Sequence, residues 1–486
     1  MIHDVKAYPT YKDSGVPWLG EVPGHWEVVP IGRMGRFLRA KGGTKADDVL
    51  EGVPCIRYGD LYTRHEFFIR ASRSFVTKER SGDYTAVHYG DVLFAGSGET
   101  IEEIGKSAVC LLESKACCGG DVLLFRPTRD IVPQFLGYAA DSPSSVHQKA
   151  CMGRGVTVMH IYAERLKHLQ LAIPPLPEQS AIVRFLAHAD RRIRRYIRAK
   201  TKLIALLNEQ KQAIIHCAVT RGLDPNVRLK PSGVEWLGEV PEHWEVSQLR
   251  RLVRRGRRIT YGIVQPGEPD PSGRFMVRGQ DYSFGWAKPE TIFRVSAKIE
   301  IPYKRSRLST GDLVLTIVGA GVGNVDIVPA WLDGANITQT TARVSVDPTT
   351  ADAEFIAAVL QGPVGRRNVE LYVKGAAQPG LNLEHVRVFL VPVPPVDEQR
   401  RIIAVVRSET GPLHIAADRA HREVSLLREF CTRLIFEVVT GKLDVREAVA
   451  RLPEEPEEPE PLDEEEAAEA VEGTEHDLGT VEGAAP

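Results

Sequence analysis

From Glu178 onward, apolar residues recur at steps of four and three: Ile182, Leu186, Ala189, Ile193 and Tyr196, then Leu203, Leu207 and Ile214. This is a helical seam of coiled-coil period, sustained for about five heptads and interrupted at Lys200 and Gln210. A second run keeps the step at Ile402, Val406, Leu413, Ala416, Ala420, Leu427, Phe430 and Leu434, with Glu409 and Glu423 in the seam. Gly411-Pro412 predicts a kink or break there, because proline lacks the N–H and crowds the preceding turn. About forty residues of helix span about 60 Å, and a stripe that long needs a partner. Two such helices in one chain most simply pack on each other. Each opens after a proline lead-in, Pro174-Pro175 before Glu178-Gln179 and Pro394-Pro395 before Glu398-Gln399, with acid where the helix dipole favours it. The first ends at Thr220–Asp224 (TRGLD) and Pro225, the second at Thr440–Asp444 (TGKLD).

The segments ahead of each helix read differently. Pro54–Gly59, Asp91–Ala95, Ser107–Leu112 and Asp121–Phe125 are short apolar or alternating runs bounded by turn residues, which predict strands. Pro133–Ala140 is a candidate helix. A matching set of parts follows at an offset near 220. Arg57-Tyr58-Gly59-Asp60 is answered by Arg278-Gly279-Gln280-Asp281, and Gly90-Asp91-Val92-Leu93 by Gly311-Asp312-Leu313-Val314. The clearest repeat is Ser14–Val28 (SGVPWLGEVPGHWEV) against Ser232–Val246 (SGVEWLGEVPEHWEV). Only Pro17/Glu235 and Gly24/Glu242 differ, so the chain is an internal duplication. The phrase suits a packed irregular segment. Trp18, Trp26, Trp236 and Trp244 are expected as packed anchors rather than a stacking platform for bases.

These signals divide the chain into 1–172, a helical segment at 173–224, a second globular part at 225–390, a second helical segment at 391–445 and a tail at 446–486. The tail is acidic and proline-rich and predicts disorder. It also changes the charge picture. The net charge of −2 hides 14 acidic residues and no Lys or Arg from Pro453 onward, so residues 1–452 carry 62 Lys and Arg against 50 acids, a net of +12. A basic body suits a polyanion. Arg191, Arg192, Arg194, Arg195 and Arg198 crowd one stretch of the first helix. No apolar run approaches a membrane span and Met1–Lys12 has no signal-like apolar core, which predicts a soluble, cytoplasmic protein without membrane contact. Seven cysteines form no CxxC pair, so neither zinc nor a disulfide framework is expected.

A search for catalytic chemistry finds none. Gly98–Ser107 (GETIEEIGKS) misplaces the first glycine of a P-loop, and Gly319–Asn324 (GAGVGN) puts Asn324 where a dinucleotide fingerprint needs its third glycine. HExxH, GxSxG and an adenine-methyltransferase NPPY-type loop are absent from the sequence. What remains is a binding constellation present twice. Arg57, Tyr58 and Asp60, with Arg278, Gln280 and Asp281, stand at strand ends and carry residue types suited to base edges in a major groove. Glycine loops at Gly96–Gly98 and Gly319–Gly323 bring backbone close, with Lys106 and Asn324 nearby in sequence. Later loops carry Arg154 and Thr157, then Lys374 and Gln378. A local Arg–Asp ion pair is the plainer reading of each pair alone; the tandem layout raises DNA contact above it.

The tandem phrases, the two GDVL/GDLV segments and the IPPLPEQ and VPPVDEQ lead-ins together resemble the specificity subunits of type I restriction–modification systems, over about residues 8–445. The resemblance implies a mixed α/β chain with two pseudo-symmetric target-recognition domains, held apart by two antiparallel coiled-coil helices that set the spacer of an interrupted DNA target. It implies two modification subunits that methylate adenine N6 with S-adenosylmethionine, and restriction subunits that translocate with ATP and Mg. No cofactor or catalytic residue is then expected in this chain. Ile182, Leu186, Ile193, Leu203, Leu207, Leu413, Leu427 and Leu434 are the expected subunit-interface positions. Tyr58–Asp91 and Gln280–Asp312 have little in common, so the two half-sites should differ. The alternative is a two-lobed assembly scaffold that no longer reads DNA.

Overall fold

The computed structural model describes residues 5–101, 103–155, 158–283, 285–374 and 379–453. Thr157, Gln378 and the acidic tail from residue 454 lie outside them. The described residues form two units: residues up to 199 with those from 423, and residues 200–422.

In the first unit, strand Val92–Ala95 is central. It is flanked by Val122–Pro127 and Ser107–Cys110, and Gly35–Arg39 and Phe68–Ile69 complete a five-stranded sheet. A four-stranded sheet joins Phe75–Val76, Val53–Ile56, Ala116–Cys118 and Thr85–Val87. In the second unit Leu313–Thr316 takes the central place, between Thr341–Val344 and Val325–Ile327, with Thr260–Tyr261 at the edge. The expected strands and the helix Pro133–Ala140 are present within a residue or two, except that the strand expected to reach Gly59 stops at Ile56 and Tyr58–Thr63 is helical. The turn before each central strand is built alike. Gly90 and Gly311 have φ of 86° and 82°, and Asp91 and Asp312 accept from the N–H of His88 and Ser309, 2.8 Å each. Arg126 (2.6 Å) and Arg257 (2.6 Å) hold those two aspartates.

The two long helices run Leu176–Arg221 and Val396–Val439. Pro412 does not break the second one. It sits on the exposed side, as does Ser408, whose carbonyl loses its helical donor to the ring and can turn to water instead. The buried seam also differs in register from the sequence reading. On the first helix it passes Ile193, Ile197 and Ile204, leaving Tyr196 and Leu203 exposed. On the second it takes Thr410, Ala417, Val424 and Cys431 instead of Glu409, Ala416, Glu423 and Phe430. From Ile402 to Val438 that is ten steps over 36 residues, a mean of 3.6, the period of a straight helix rather than a 3.5-residue heptad. In the first unit Ile182, Phe185, Leu186 and Ala189 share a core with Leu434, Ile435, Val438 and Val439. In the second, Ala218 and Val219 share one with Ile402 and Val406. Within each unit the start of one helix therefore packs beside the end of the other, an antiparallel pairing.

The duplicated phrase is the joint that makes this possible. Contrary to the expectation of irregular structure, it contains strands: Glu21–Pro23 and Glu27–Pro30, and likewise Glu239–Pro241 and Glu245–Gln248. Glu27–Pro30 pairs with Gln170–Ile173, and Glu245–Gln248 with Leu390–Val393, so each phrase is stitched to the strand that leads into a long helix. Trp26 and Trp244 are fully buried. Their indole N–H groups donate to Glu178 (3.0 Å) and Glu398 (3.1 Å), and His25 and His243 reach the same carboxylates at 2.9 and 2.8 Å. The next residue, Gln179 or Gln399, accepts from the N–H of Val132 (2.9 Å) or Asp352 (2.7 Å) at the head of a domain helix. The Glu-Gln pair thus locks phrase, domain and helix together. At the other end, Gly441 (φ 74°) lies against Pro23 and Trp26, where a Cβ would come within 2.3 Å of the proline ring. Trp236 packs on the second core, whereas Trp18 is partly exposed beside His147.

Residues 446–452, assigned from sequence to the tail, are folded. Helix Arg446–Ala450 buries Ala448 and Val449, and Leu452 follows them into the first core, because apolar spacing persists up to the point where the acidic composition begins.

Candidate nucleic-acid interface

Beyond the central strand of each unit, three segments meet. In the first unit Ser97–Gly98 pairs with Met159–His160, and His160 bridges back to Arg154. Ser97 Oγ lies 3.1 Å from His160 Nδ1. The Tyr62 hydroxyl donates to the Ser97 carbonyl (2.9 Å), fastening the short helix Tyr58–Thr63 to this loop. A Cβ at Gly98 would stand 2.7 Å from that hydroxyl and push it aside. Burial, aided by Glu103 and Asp141, pushes Tyr62 up to about 12, so it remains a donor at neutral pH. Tyr58, one turn before Tyr62, is exposed, as are Arg154, His160 and Tyr162, the last two with rings stacked at 6.4 Å.

The second unit repeats the arrangement with other side chains. Val318 and Lys374 both bridge to Gly380. Asn324 Nδ2 donates to Ser283 Oγ (3.2 Å), and the Tyr282 hydroxyl meets Thr316 Oγ1 at 2.7 Å. Burial pushes Tyr282 up to about 12, the Thr316 contact opposing. These bonds bring the Arg278–Asp281 turn against the Gly319–Gly323 loop. Gln280, Asn324 and Lys374 are exposed there.

Five of the expected DNA contacts are turned inward instead. Arg57 is paired with Asp48 (2.5 Å) and donates to the carbonyls of Gly43 and Thr44. Asp60 accepts from the Arg57 N–H at 3.1 Å and caps its own helix. Lys106 joins buried Lys149 on Asp141, at 2.7 and 2.6 Å. Arg278 closes on buried Asp281 at 3.0 Å. The local Arg–Asp pair forms at Arg278–Asp281, whereas the Arg57 guanidinium takes Asp48 rather than Asp60. Tyr58, Arg154, Gln280, Asn324 and Lys374 remain presented to solvent. Sequence reading missed Tyr62, His160 and Ser283. The 220-residue offset that pairs Arg154 with Lys374 also pairs His160 with Gly380, a signal present in the repeat.

The interface positions on the helices divide similarly. Ile182, Leu186, Ile193 and Leu434 are covered within the chain; Leu207, Leu413 and Leu427 are half-buried; Leu203 is exposed. Four of these eight positions are thus covered within the chain itself. Among the described residues no His, Cys, Asp and Glu cluster could hold a metal, and no helix is long and apolar enough to cross a membrane.

Residues 23–203 match the family model of the type I restriction modification DNA specificity domain. The chain is 29% identical over 279 residues to the type I restriction enzyme EcoBI specificity subunit of Escherichia coli, an alignment that spans 56% of either chain. It is 24% identical over 434 residues to the putative type I restriction enzyme MjaX specificity subunit of Methanocaldococcus jannaschii, covering 88% of this chain and 96% of that one. The likeness is to type I specificity subunits, through the DNA specificity domain at residues 23–203 and, at lower identity, along most of the chain. A solved structure described as the basis of complex assembly and conformational transition of the type I R-M system shares the fold, at TM-score 0.63 and 17% identity, over 87% of this chain and 99% of the other. The likeness to the Methanocaldococcus jannaschii subunit runs through both units. What the family resemblance leaves to the side chains is which residues face DNA, and there the two corners differ.

Proposed function

We propose that this chain reads a bipartite, asymmetric DNA sequence for a type I restriction–modification complex, each unit reading one half. The observation that carries the proposal is the pair of matched corners. The same three segments meet in both, yet one presents Tyr58, Arg154, His160 and Tyr162 and the other Gln280, Asn324 and Lys374. A shared frame with unlike exposed side chains is what two readers of different half-sites require, since base edges are discriminated by donor and acceptor pattern. The basic body supplies phosphate attraction.

Chemistry is assigned to partners: adenine-N6 methylation from S-adenosylmethionine to two modification subunits, and ATP- and Mg-dependent restriction to further subunits, with this chain non-catalytic and cytoplasmic. Exposed apolar residues on the long helices, Ile415 and Leu426 above all, support docking of such partners. Fluorescence anisotropy of the assembled complex on its methylated motif and on random duplex tests the reading. A preference of at least about 10³ is expected; equal binding would leave a scaffold.

A further inference from the structure

The second unit holds a buried cation where the first has none. Arg343, 2% exposed, stands opposite Val314 on the central strand. The matching place in the first unit, opposite Leu93, is Leu124, a fully buried core residue. The Arg343 guanidinium donates to three backbone carbonyls, those of Arg258 (3.0 Å), Arg307 (3.1 Å) and Arg305, and its Nε has no partner. Burial, with Arg257 beside it, pulls it down to about 10, so it stays charged at neutral pH. A buried cation is costly where a leucine serves the twin position, so its role is sought in what the three carbonyls join.

They join two basic segments. Arg255 and Arg258 lie on one, Lys304 and Arg305 on the other, all exposed, with Tyr261 exposed on the adjoining strand. The carboxylates around them are engaged: Asp312 with Arg257, Glu300 with Arg307, Glu384 with Arg387, and Asp347 with Thr349. Val253 and Thr260 hold the places of Gly35 and Leu38 in the strand pairing, so Arg255 and Arg258 lie on a stretch that is four residues longer than in the first unit.

We propose that Arg255, Arg258, Lys304 and Arg305 form a phosphate-binding track for double-stranded DNA, shaped by Arg343 as a positioning residue, which the first unit lacks at these positions. This rests on the DNA-reading function proposed above. Clustered Arg and Lys without an apolar centre fit a phosphate backbone better than a protein partner, whose contact core is depleted in charge. The second unit then grips DNA irrespective of sequence, while base choice stays with the corners.

The test uses the assembled complex, with anisotropy on specific and random duplex across a salt series. Arg255→Gln, Arg258→Gln and Arg305→Gln combined should lower the slope of log affinity against log salt by about 2–3, at about 0.9 per phosphate contact. Affinity should fall by the same factor on both duplexes, leaving their ratio unchanged. Arg343→Lys keeps the charge but cannot span three carbonyls, and should lower the slope in the same direction; an unchanged slope would overturn its positioning role. An unchanged slope in the triple variant, a loss confined to the specific duplex, or failure to assemble with the modification subunits would each overturn the track. If the unaltered complex binds both duplexes equally, sequence reading fails, while the slope on random duplex still judges the track.

Discussion

Replacing Glu178 by alanine removes an acceptor shared by three side chains. The Tyr8 hydroxyl and the Trp26 indole donate to it, and His25 Nε2 lies 2.9 Å away. Tyr8 and Trp26 are buried, so two donors lose their partner without access to water, at about 1–3 kcal/mol each. His25 is half-exposed and can turn to solvent. The expected loss is therefore about 2–6 kcal/mol in the first unit. Glu398→Ala is the internal control. Glu398 holds only one buried donor, Trp244, beside the half-exposed His243, so its loss should be about 1–3 kcal/mol. Hydrogen exchange on the intact chain reads each site separately, through the opening of the pair Glu27–Pro30 with Gln170–Ile173 against that of Glu245–Gln248 with Leu390–Val393. If Glu398→Ala loosens its strand pair as much as Glu178→Ala does, or Glu178→Ala shifts opening by under about 1 kcal/mol, the latch is not built as described.

Gly441→Ala should destabilise the first unit by more than the roughly 1 kcal/mol typical of a left-handed glycine, since a Cβ also meets Pro23; Gly222→Ala, with Trp244 at 3.3 Å, should cost less, as thermal unfolding of the two variants would show. Asp141→Asn leaves buried Lys149 without its carboxylate and should cost about 3–5 kcal/mol in urea unfolding. Burial opposes ionisation of Asp141, but Lys149 and Lys106 outweigh it and hold the carboxyl below its ordinary value. Its contribution is therefore fully present above the unfolded carboxylate pKa of about 3.9 and lost as pH falls through the lower folded value; Asp141→Asn should flatten that acid limb. Arg154→Ala should relax base preference by about 1–3 kcal/mol in one half-site, and Lys374→Ala should leave that half unchanged, as sequencing of methylated sites would reveal.

The sequence carried the frame well and the contacts poorly, for separable reasons. The repeat announced two equivalent units, and Trp26 and Trp244 were legible as anchors because an indole in a Pro- and Gly-rich phrase has few other uses. Their partners were not legible: Glu178 lies 152 residues from Trp26, and the opening acid of a helix already has a sufficient local explanation in the dipole. The seam slipped by one residue where apolar neighbours compete, as at Tyr196 and Ile197, since spacing alone does not rank adjacent candidates. Pro412 was read as a break because local chemistry treats every helical proline alike, whereas exposure of its turn decides the outcome. Arg57 and Arg278 were read as base readers because the tandem layout was weighed above a local Arg–Asp pair; Arg278 does take its local partner Asp281, whereas Arg57 takes Asp48, which only the fold brings to it. The exposed residues that remain, Arg154 and Lys374 among them, were found through their equivalence in the repeat.

On the proposed function, two matched frames carry unlike readers. Sequencing adenine methylation in a host whose only type I system contains this chain tests it most directly. One interrupted motif with two different halves is expected, and a change confined to one half when Gln280, Asn324 and Lys374 are replaced by alanine. A palindromic motif, or a change in both halves, would contradict it.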